Sequence, residues 1–296
     1  MAATEAAVQR RSVGRRLAGL FHGRPRLQVG ALLAGPAGWL VIGYLGSLAL
    51  LLIAAFWAVN PVSGELEKSL SFENFEILWN EPVYRTIVGR TILIAALVTI
   101  TDAILAFPIA FYMAKVASRP AKAALVIAVL IPLWSGYLVK VLSWRTMLSA
   151  GGFINWVLEP FGLSGPGYGN TAVWLVMSYL WLPYMVLPIF AGLERIPDTL
   201  ISASEDLGAK PFTTFRRVIL PLTFPAVVAG SIFTFALTLG DYITPRLVSN
   251  NQFIGNVVFN NISNNLPLAS ALALVPIVVM IGYLLVARKL GAFEHI

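Results

Sequence analysis

The chain has 296 residues, of which 58% are hydrophobic and only 12% charged. Soluble proteins carry roughly 25% charged residues, and disorder needs low hydrophobicity with high net charge; both are excluded, which leaves an integral membrane protein. The net charge of +7 arises from basic residues beside apolar runs, a placement that speaks for membrane orientation and not for nucleic acid. With no cysteine, and with only His22 and His295 near opposite ends of the chain, neither thiol chemistry nor a His/Cys metal site is expected.

Residues 1–30 read as a basic tail carrying Arg10, Arg11, Arg15, Arg16, Arg24 and Arg26. A helix needs about 20 apolar residues to cross a bilayer. Six spans meet that need, near residues 31–58, 88–114, 123–145, 171–193, 218–240 and 268–288, within a transmembrane domain over 31–290 and before a tail at 291–296. The first apolar run is too long for a signal-peptide core and is read as a retained helix. The runs lack the alternation of barrel strands, so the fold is all-α.

After the first span, Asn60, Pro61, Ser63 and Gly64 read as a turn. An acidic segment follows with Glu65, Glu67, Glu73, Glu76 and Glu81, in which residues 71–75 can start a short surface helix. The Gly- and Pro-rich 146–170 segment and the Asn-rich 241–267 segment read as irregular loops. With these segments outside, fifteen of the 21 Lys and Arg residues fall inside. The positive-inside rule then puts both termini in the cytoplasm.

Within the spans, Asp102 would cost about 2.5–3.5 kcal/mol facing lipid, so it faces protein or water. It is read either as a structural carboxylate or as a group near a solute path. Asp241, at the outer end of the fifth span beside Tyr242, either meets an incoming cation or is an interfacial charge. Trp134, Tyr137 and Trp144 are candidates for one inner face of the third span, where aromatic rings attract ammonium groups. Trp and Tyr also gather at membrane interfaces, the reading preferred for Trp144. Pro132, Pro183, Pro188, Pro225 and Pro276 are read as kinks.

The inner loop at 194–217 is patterned. Pro197-Asp198 marks a helix start with Asp198 as its cap. Leu200, Ala203 and Leu207 form a one-sided apolar stripe. Gly208 ends the helix in a left-handed conformation, and Pro211 opens a second helix that carries Phe212 and Phe215 into the fifth span. Glu205 and Asp206 mix with Lys210 on the polar face. A lipid-binding helix would be dominated by Lys and Arg, so docking of a cytoplasmic partner is favoured over a helix lying on headgroups.

This loop resembles the signature of inner-membrane permease subunits of ATP-binding-cassette (ABC) importers: Glu-Ala-Ala, three residues, Gly, nine residues, an aliphatic, one residue, Leu-Pro. Here it reads Ser202-Ala203-Ser204, three residues, Gly208, nine residues, Val218, Ile219 and Leu220-Pro221, departing at Ser202 and Ser204. Ile131-Pro132-Leu133-Trp134 with Lys140, Trp144 and residues 151–155, Phe107-Pro108 before them and residues 240–245 after, resembles the spermidine/putrescine-type permeases. The resemblance implies a type I importer permease fold of six transmembrane helices with a cytoplasmic coupling-helix loop, in a bacterial inner membrane. It assigns ATPase coupling to Leu200, Ser202, Ala203, Ser204, Glu205, Leu207, Gly208, Ala209, Phe212, Leu220 and Pro221. The implied partners are a cytoplasmic ABC ATPase dimer, a second permease subunit (a copy of this chain or, as the polyamine-type resemblance favours, a distinct one), a periplasmic solute-binding protein and the lipid bilayer.

No phosphate-cradling GxxxxGK[ST] run occurs, so ATP chemistry is not expected on this chain; the resemblance implies no cofactor here, with ATP and Mg on the partner ATPase. The expected solute is a polyamine. An amino-acid derivative, an opine or a phosphonate stands as the alternative, as does a secondary transporter, although no inverted repeat is evident. The few intramembrane acids and bases disfavour a membrane enzyme.

Overall fold

The computed structural model describes residues 25–60 and 63–289. The tail with Arg10, Arg11, Arg15, Arg16 and Arg24, both histidines, Pro61 of the expected turn and the 291–296 tail lie outside the described residues. The chain divides into two compact units, one ending at Ala54 and the other starting at Ala55.

The first unit is helical. α1 (Pro25–Trp39) passes through a wide turn at Leu40–Leu45 into α2 (Gly46–Ala54). Its Leu32–Ala54 part has a mean hydropathy of 2.1, long and apolar enough to cross a membrane.

The second unit opens with a small hairpin. β1 (Ala58–Val59) pairs antiparallel with β2 (Leu66–Glu67). α3 (Glu73–Asn80) follows, its start marked by the Ser71 hydroxyl accepting from the Glu73 N–H. Buried Asn74 donates to the carbonyls of Ala55 and Trp57, fastening α3 to the chain before the hairpin. Pro82 then opens α4 (Pro82–Phe111), which continues through a wide turn at Tyr112–Val116. Proline suits a first helical turn because its missing N–H would have no partner there.

The expected third span is not one straight helix. α5 (Arg119–Trp134) and α6 (Tyr137–Leu148) are separated by the extended residues Ser135 and Gly136. The chain bends by 90° at this break. A break frees carbonyls, and hydrocarbon has no water to satisfy them. Here the Pro132 carbonyl accepts both the Ser135 hydroxyl at 2.9 Å and the Lys140 ammonium at 3.0 Å. Ser135 and Lys140, a cation inside an apolar run, thus share the task of satisfying the carbonyl at the break.

The 146–170 segment is not wholly irregular, since it holds α7 (Phe153–Leu158). α8 (Asn170–Glu194) follows; then come α9 (Asp198–Asp206) and α10 (Pro211–Thr214) in the patterned loop. A wide turn at Phe215–Ile219 leads into α11 (Leu220–Gly240). The 241–267 segment likewise contains helices, α12 (Ile243–Val248) and α13 (Ile254–Asn261), before α14 (Leu266–Lys289). Among the described residues, five helices are long and apolar enough to span, and the bent α5–α6 pair makes the sixth if it crosses once.

α4, α8 and α11 share the most extensive packing. Ile94, Val98, Val173 and Leu180 form one core cluster; Ala106, Ala110, Met185 and Ile189 form another. Small residues let backbones approach, as at Gly192, where an added Cβ would sit 2.4 Å from the Ala226 Cβ.

Candidate functional site

The patterned loop hangs from α8 and α11 and is fixed at its neck. Ile196 is buried, and Ile201 of α9 packs against the cluster of α4 and α8. Lys115, just beyond α4, donates to the Ile196 carbonyl at 2.6 Å and pairs with Asp198 at 2.7 Å. Lys122 of α5 pairs with Glu194 at 2.6 Å. The hydrogen bond from Lys115, and then its charge, hold the Asp198 carboxyl below the usual carboxylate range. Asp198 therefore does not cap α9 as expected. Pro197 occupies the cap position, and no side chain closes that end.

Gly208 ends α9 with φ of +80°, a region that costs a side-chain-bearing residue roughly 1–2 kcal/mol. The Gly208 N–H donates to the Glu205 carbonyl and the Ala209 N–H to the Ser204 carbonyl, at 2.8 and 3.1 Å. Pro211 occupies the first turn of α10. The Ser204 hydroxyl meets that of buried Thr214 at 3.0 Å, bridging α9 to α10 across the turn. Ile201 and Ser204 thus face the body of the protein. Leu200, Ser202, Ala203, Glu205, Leu207 and Phe212 are exposed, and Ala209 is half-buried. Leu207 is 89% exposed and Phe212 72%. Leu220 and Pro221 stand apart at the start of α11; Pro221 joins Leu200, Gly192 and Pro225 around a recess of about 570 Å³.

At the opposite end of the bundle, Tyr137, Asp241 and Tyr242 come together. Asp241 follows the last residue of α11 and caps α12, its Oδ1 accepting the N–H groups of Ile243 and Thr244 at 2.9 and 3.2 Å. Its Oδ2 accepts the Tyr137 hydroxyl at 2.5 Å and the Thr244 hydroxyl at 2.6 Å. Trp181 of α8 stacks on Tyr137, with ring centres 5.9 Å apart and planes 14° apart. These residues, with Leu237, Gly240 and Tyr242, line an open recess of about 400 Å³. Chemically, it offers ring faces beside a fixed carboxylate. Four donors already occupy that carboxylate, so a passing cation would meet its charge more than a free lone pair.

The remaining two candidates stay outside this group. Trp134 ends α5 and is 89% exposed. Asp102 is fully buried in α4. Ser178 of α8 is close enough to act on it, yet neither carboxylate oxygen nor the Ser178 hydroxyl closes a well-formed hydrogen bond. Trp144 packs against Tyr179 and, like Tyr137, against the core cluster of α4 and α8, so these two share a face of α6 while Trp134, across the break, does not join it. Trp181, Thr244, Lys115 and Thr214 were missed in the sequence. Each acts through a partner distant in the chain or across a turn, and only Lys115, a cation at a span end, carried any local signal. Among the described residues no group of three or more His, Cys, Asp or Glu is placed to hold a metal ion.

Residues 39–291 match the family described as "Binding-protein-dependent transport system inner membrane component". The chain is 42% identical to the inner membrane ABC transporter permease protein YdcU of Escherichia coli K12, over 94% of this chain and 95% of that one. It is 30% identical to the spermidine/putrescine transport system permease protein PotB of Haemophilus influenzae, over 76% of this chain and 81% of that one. Among solved structures, a bacterial ABC transporter involved in the import of the acidic polysaccharide alginate aligns with a TM-score of 0.70 at 16% identity, covering 89% of this chain and 94% of the other. The MetNI methionine ABC transporter in an inward-facing conformation aligns with a TM-score of 0.55 at 17% identity, covering 72% and 95%.

Proposed function

The chain belongs to the binding-protein-dependent transport system inner membrane component family and is a permease subunit of an ABC importer, not an enzyme; on that premise we propose that residues 198–217 dock a cytoplasmic ATPase and that the solute is a polyamine. In this reading the patterned loop and both termini lie in the cytoplasm. ATP and Mg are bound by the partner ATPase pair, a distinct second permease subunit completes the path, and the solute-binding protein delivers to the end bearing Asp241.

The observation that carries the docking role is the exposure of Leu207 and Phe212 on a loop whose neck is tied to α4, α5 and α8. Large apolar side chains held out from a fixed frame are anchors for a partner. ATP-driven closure of the ATPases pushes α9. The Ser204–Thr214 bridge and the Lys115 contacts pass that displacement to α11 and α4, shifting the bundle between two packed arrangements. Two supports favour a polyamine: the relatives named as spermidine/putrescine permeases and the Tyr137–Trp181–Asp241 recess, where ring faces and a carboxylate suit protonated amines.

Gly208→Pro is the test. It should abolish both co-purification of the ATPase and uptake of labelled spermidine or putrescine into proteoliposomes charged with the binding protein. Retention of both would overturn the docking role, and wild-type uptake that no polyamine competes would overturn the solute.

A further inference from the structure

At the Asp241 end, α12 and α13 border a second recess, of about 230 Å³. Its lining is entirely polar: Arg246 with Ser249, Gln252, Asn256, Asn260 and the two neighbouring asparagines. It holds one cation and no acid. Arg246 is exposed, and neither of the two ion pairs among the described residues includes it. Its guanidinium lies 5.3 Å from the centre of the Phe259 ring, a contact that positions the charge while leaving its N–H donors unspent.

The frame around that charge is fixed. Asn256 donates to the Tyr242 carbonyl and accepts from the Phe253 N–H. Asn251 bonds Asn170 at the start of α8, and Arg90 of α4 donates to the Gln252 carbonyl at 3.0 Å. By contrast, among the described residues the side-chain amides of Asn250, Gln252 and Asn260 have no hydrogen-bond partner. A lone guanidinium with uncommitted amides beside it matches a carboxylate, which accepts two parallel N–H groups from arginine and has further lone pairs to share.

We propose that this recess receives an aspartate or glutamate side chain of the solute-binding protein, with Arg246 as the charged anchor. The proposal rests on the importer reading, which brings that protein to this end of the bundle. A lipid phosphate is the less suitable occupant, because no apolar residue lines the recess itself. The recess also adjoins the first one. Phe259, which carries Arg246, stacks on Tyr242 with ring centres 4.7 Å apart. Gly255 abuts the same turn so closely that an added Cβ would lie 2.9 Å from the Asp241 carbonyl oxygen. Drawing the guanidinium off Phe259 onto a carboxylate therefore acts on the residue next to Asp241, which links arrival of the binding protein to the proposed solute recess.

The test uses the assembled permease–ATPase complex in nanodiscs with the purified binding protein. Arg246→Glu should weaken binding-protein affinity at least tenfold and lower the ratio of stimulated to basal ATPase activity. Arg246→Lys should fall between it and wild type, and reversing one acidic residue on the binding protein should restore affinity to Arg246→Glu. Asn260→Asp, which brings an internal competitor into the recess, should weaken binding in the same direction. An Arg246→Glu affinity within twofold of wild type would overturn the proposal. So would a loss that is matched in wild type by removing anionic lipids, which would assign the recess to phosphate, or one accompanied by a lower thermal midpoint, which would make Arg246 structural. A wild-type complex that the binding protein never stimulates would overturn the importer reading itself, and the proposal with it.

Discussion

Asp241 accepts from four groups of its own chain, and the Tyr137 hydroxyl is the contributor that reaches it from another helix. Tyr137→Phe keeps the ring against Trp181 and removes only the hydroxyl. Side-chain hydrogen bonds between membrane helices are worth about 0.6 kcal/mol on average and at most about 1.7, so a loss in that range is expected on denaturing the purified protein. No measurable loss, or a gain in stability, would mean that the hydroxyl does not carry the contact. The Lys115–Asp198 pair makes a second prediction. Its carboxylate is held below the ordinary range by the lysine, so its contribution is complete above the unfolded aspartate value of about 3.9. It is lost as the pH falls from there through the depressed folded value. Protection of the α9 amides, taken relative to intrinsic exchange, should show no change from this pair between neutral pH and about pH 4, then a fall on further acidification. Asp198→Asn should abolish that acid limb, and an unchanged limb would show that the pair does not hold the neck.

At the scale of elements, the break in the third span depends on one carbonyl with two donors. If Ser135 and Lys140 both serve the Pro132 carbonyl, either can cover for the other. Ser135→Ala and Lys140→Met should each cost little, and the double variant should cost more than their sum by about 0.5–3 kcal/mol. Additive effects would show that the two donors are independent. The break was not legible in the sequence, because residues 123–139 carry no charge and Ser135-Gly136 is a weak local interruption. Lys140 was the available clue, a cation in an apolar run that must find acceptors. The patterned loop was legible for the opposite reason. Gly208 at positive φ and Pro211 at a helix start are decided by each residue's own backbone preference. Asp198 was misassigned as a cap because its partner stands 83 positions away. α12 and α13 were missed because their starts rely on Asp241 and Asn256, whose oxygens bind N–H groups just after and just before them, within a stretch that reads as polar loop. Tyr137, Asp241 and Tyr242 were legible as residue types. Trp181 was not, since a tryptophan in a span reads as one more apolar residue.

For the whole molecule, the decisive contact is between the helices that lead into and out of the loop. α8 enters it and α11 leaves it. They touch closely at Gly192 against Ala226 and again at Gly230, where an added Cβ would lie 2.7 Å from the Met185 sulfur and 3.1 Å from its Cα. A displacement applied between them is therefore delivered to the two helices as one body. Gly192→Leu would force them apart, because its Cβ alone would overlap a neighbour that is itself on a helix backbone. Overpacking of this kind costs about 1–3 kcal/mol, read as a lower denaturation midpoint. If the loop docks as proposed, the same variant should leave the assembled complex hydrolysing ATP while uptake falls, because docking would persist without both helices being driven together. Ala226→Gly clears the opposing Cβ, so the Gly192→Leu/Ala226→Gly pair should regain part of both stability and uptake. If Gly192→Leu lowers stability and the paired change restores it without restoring uptake, the close approach is a packing device only, and the proposed coupling would have to run through Lys115 and α4 instead.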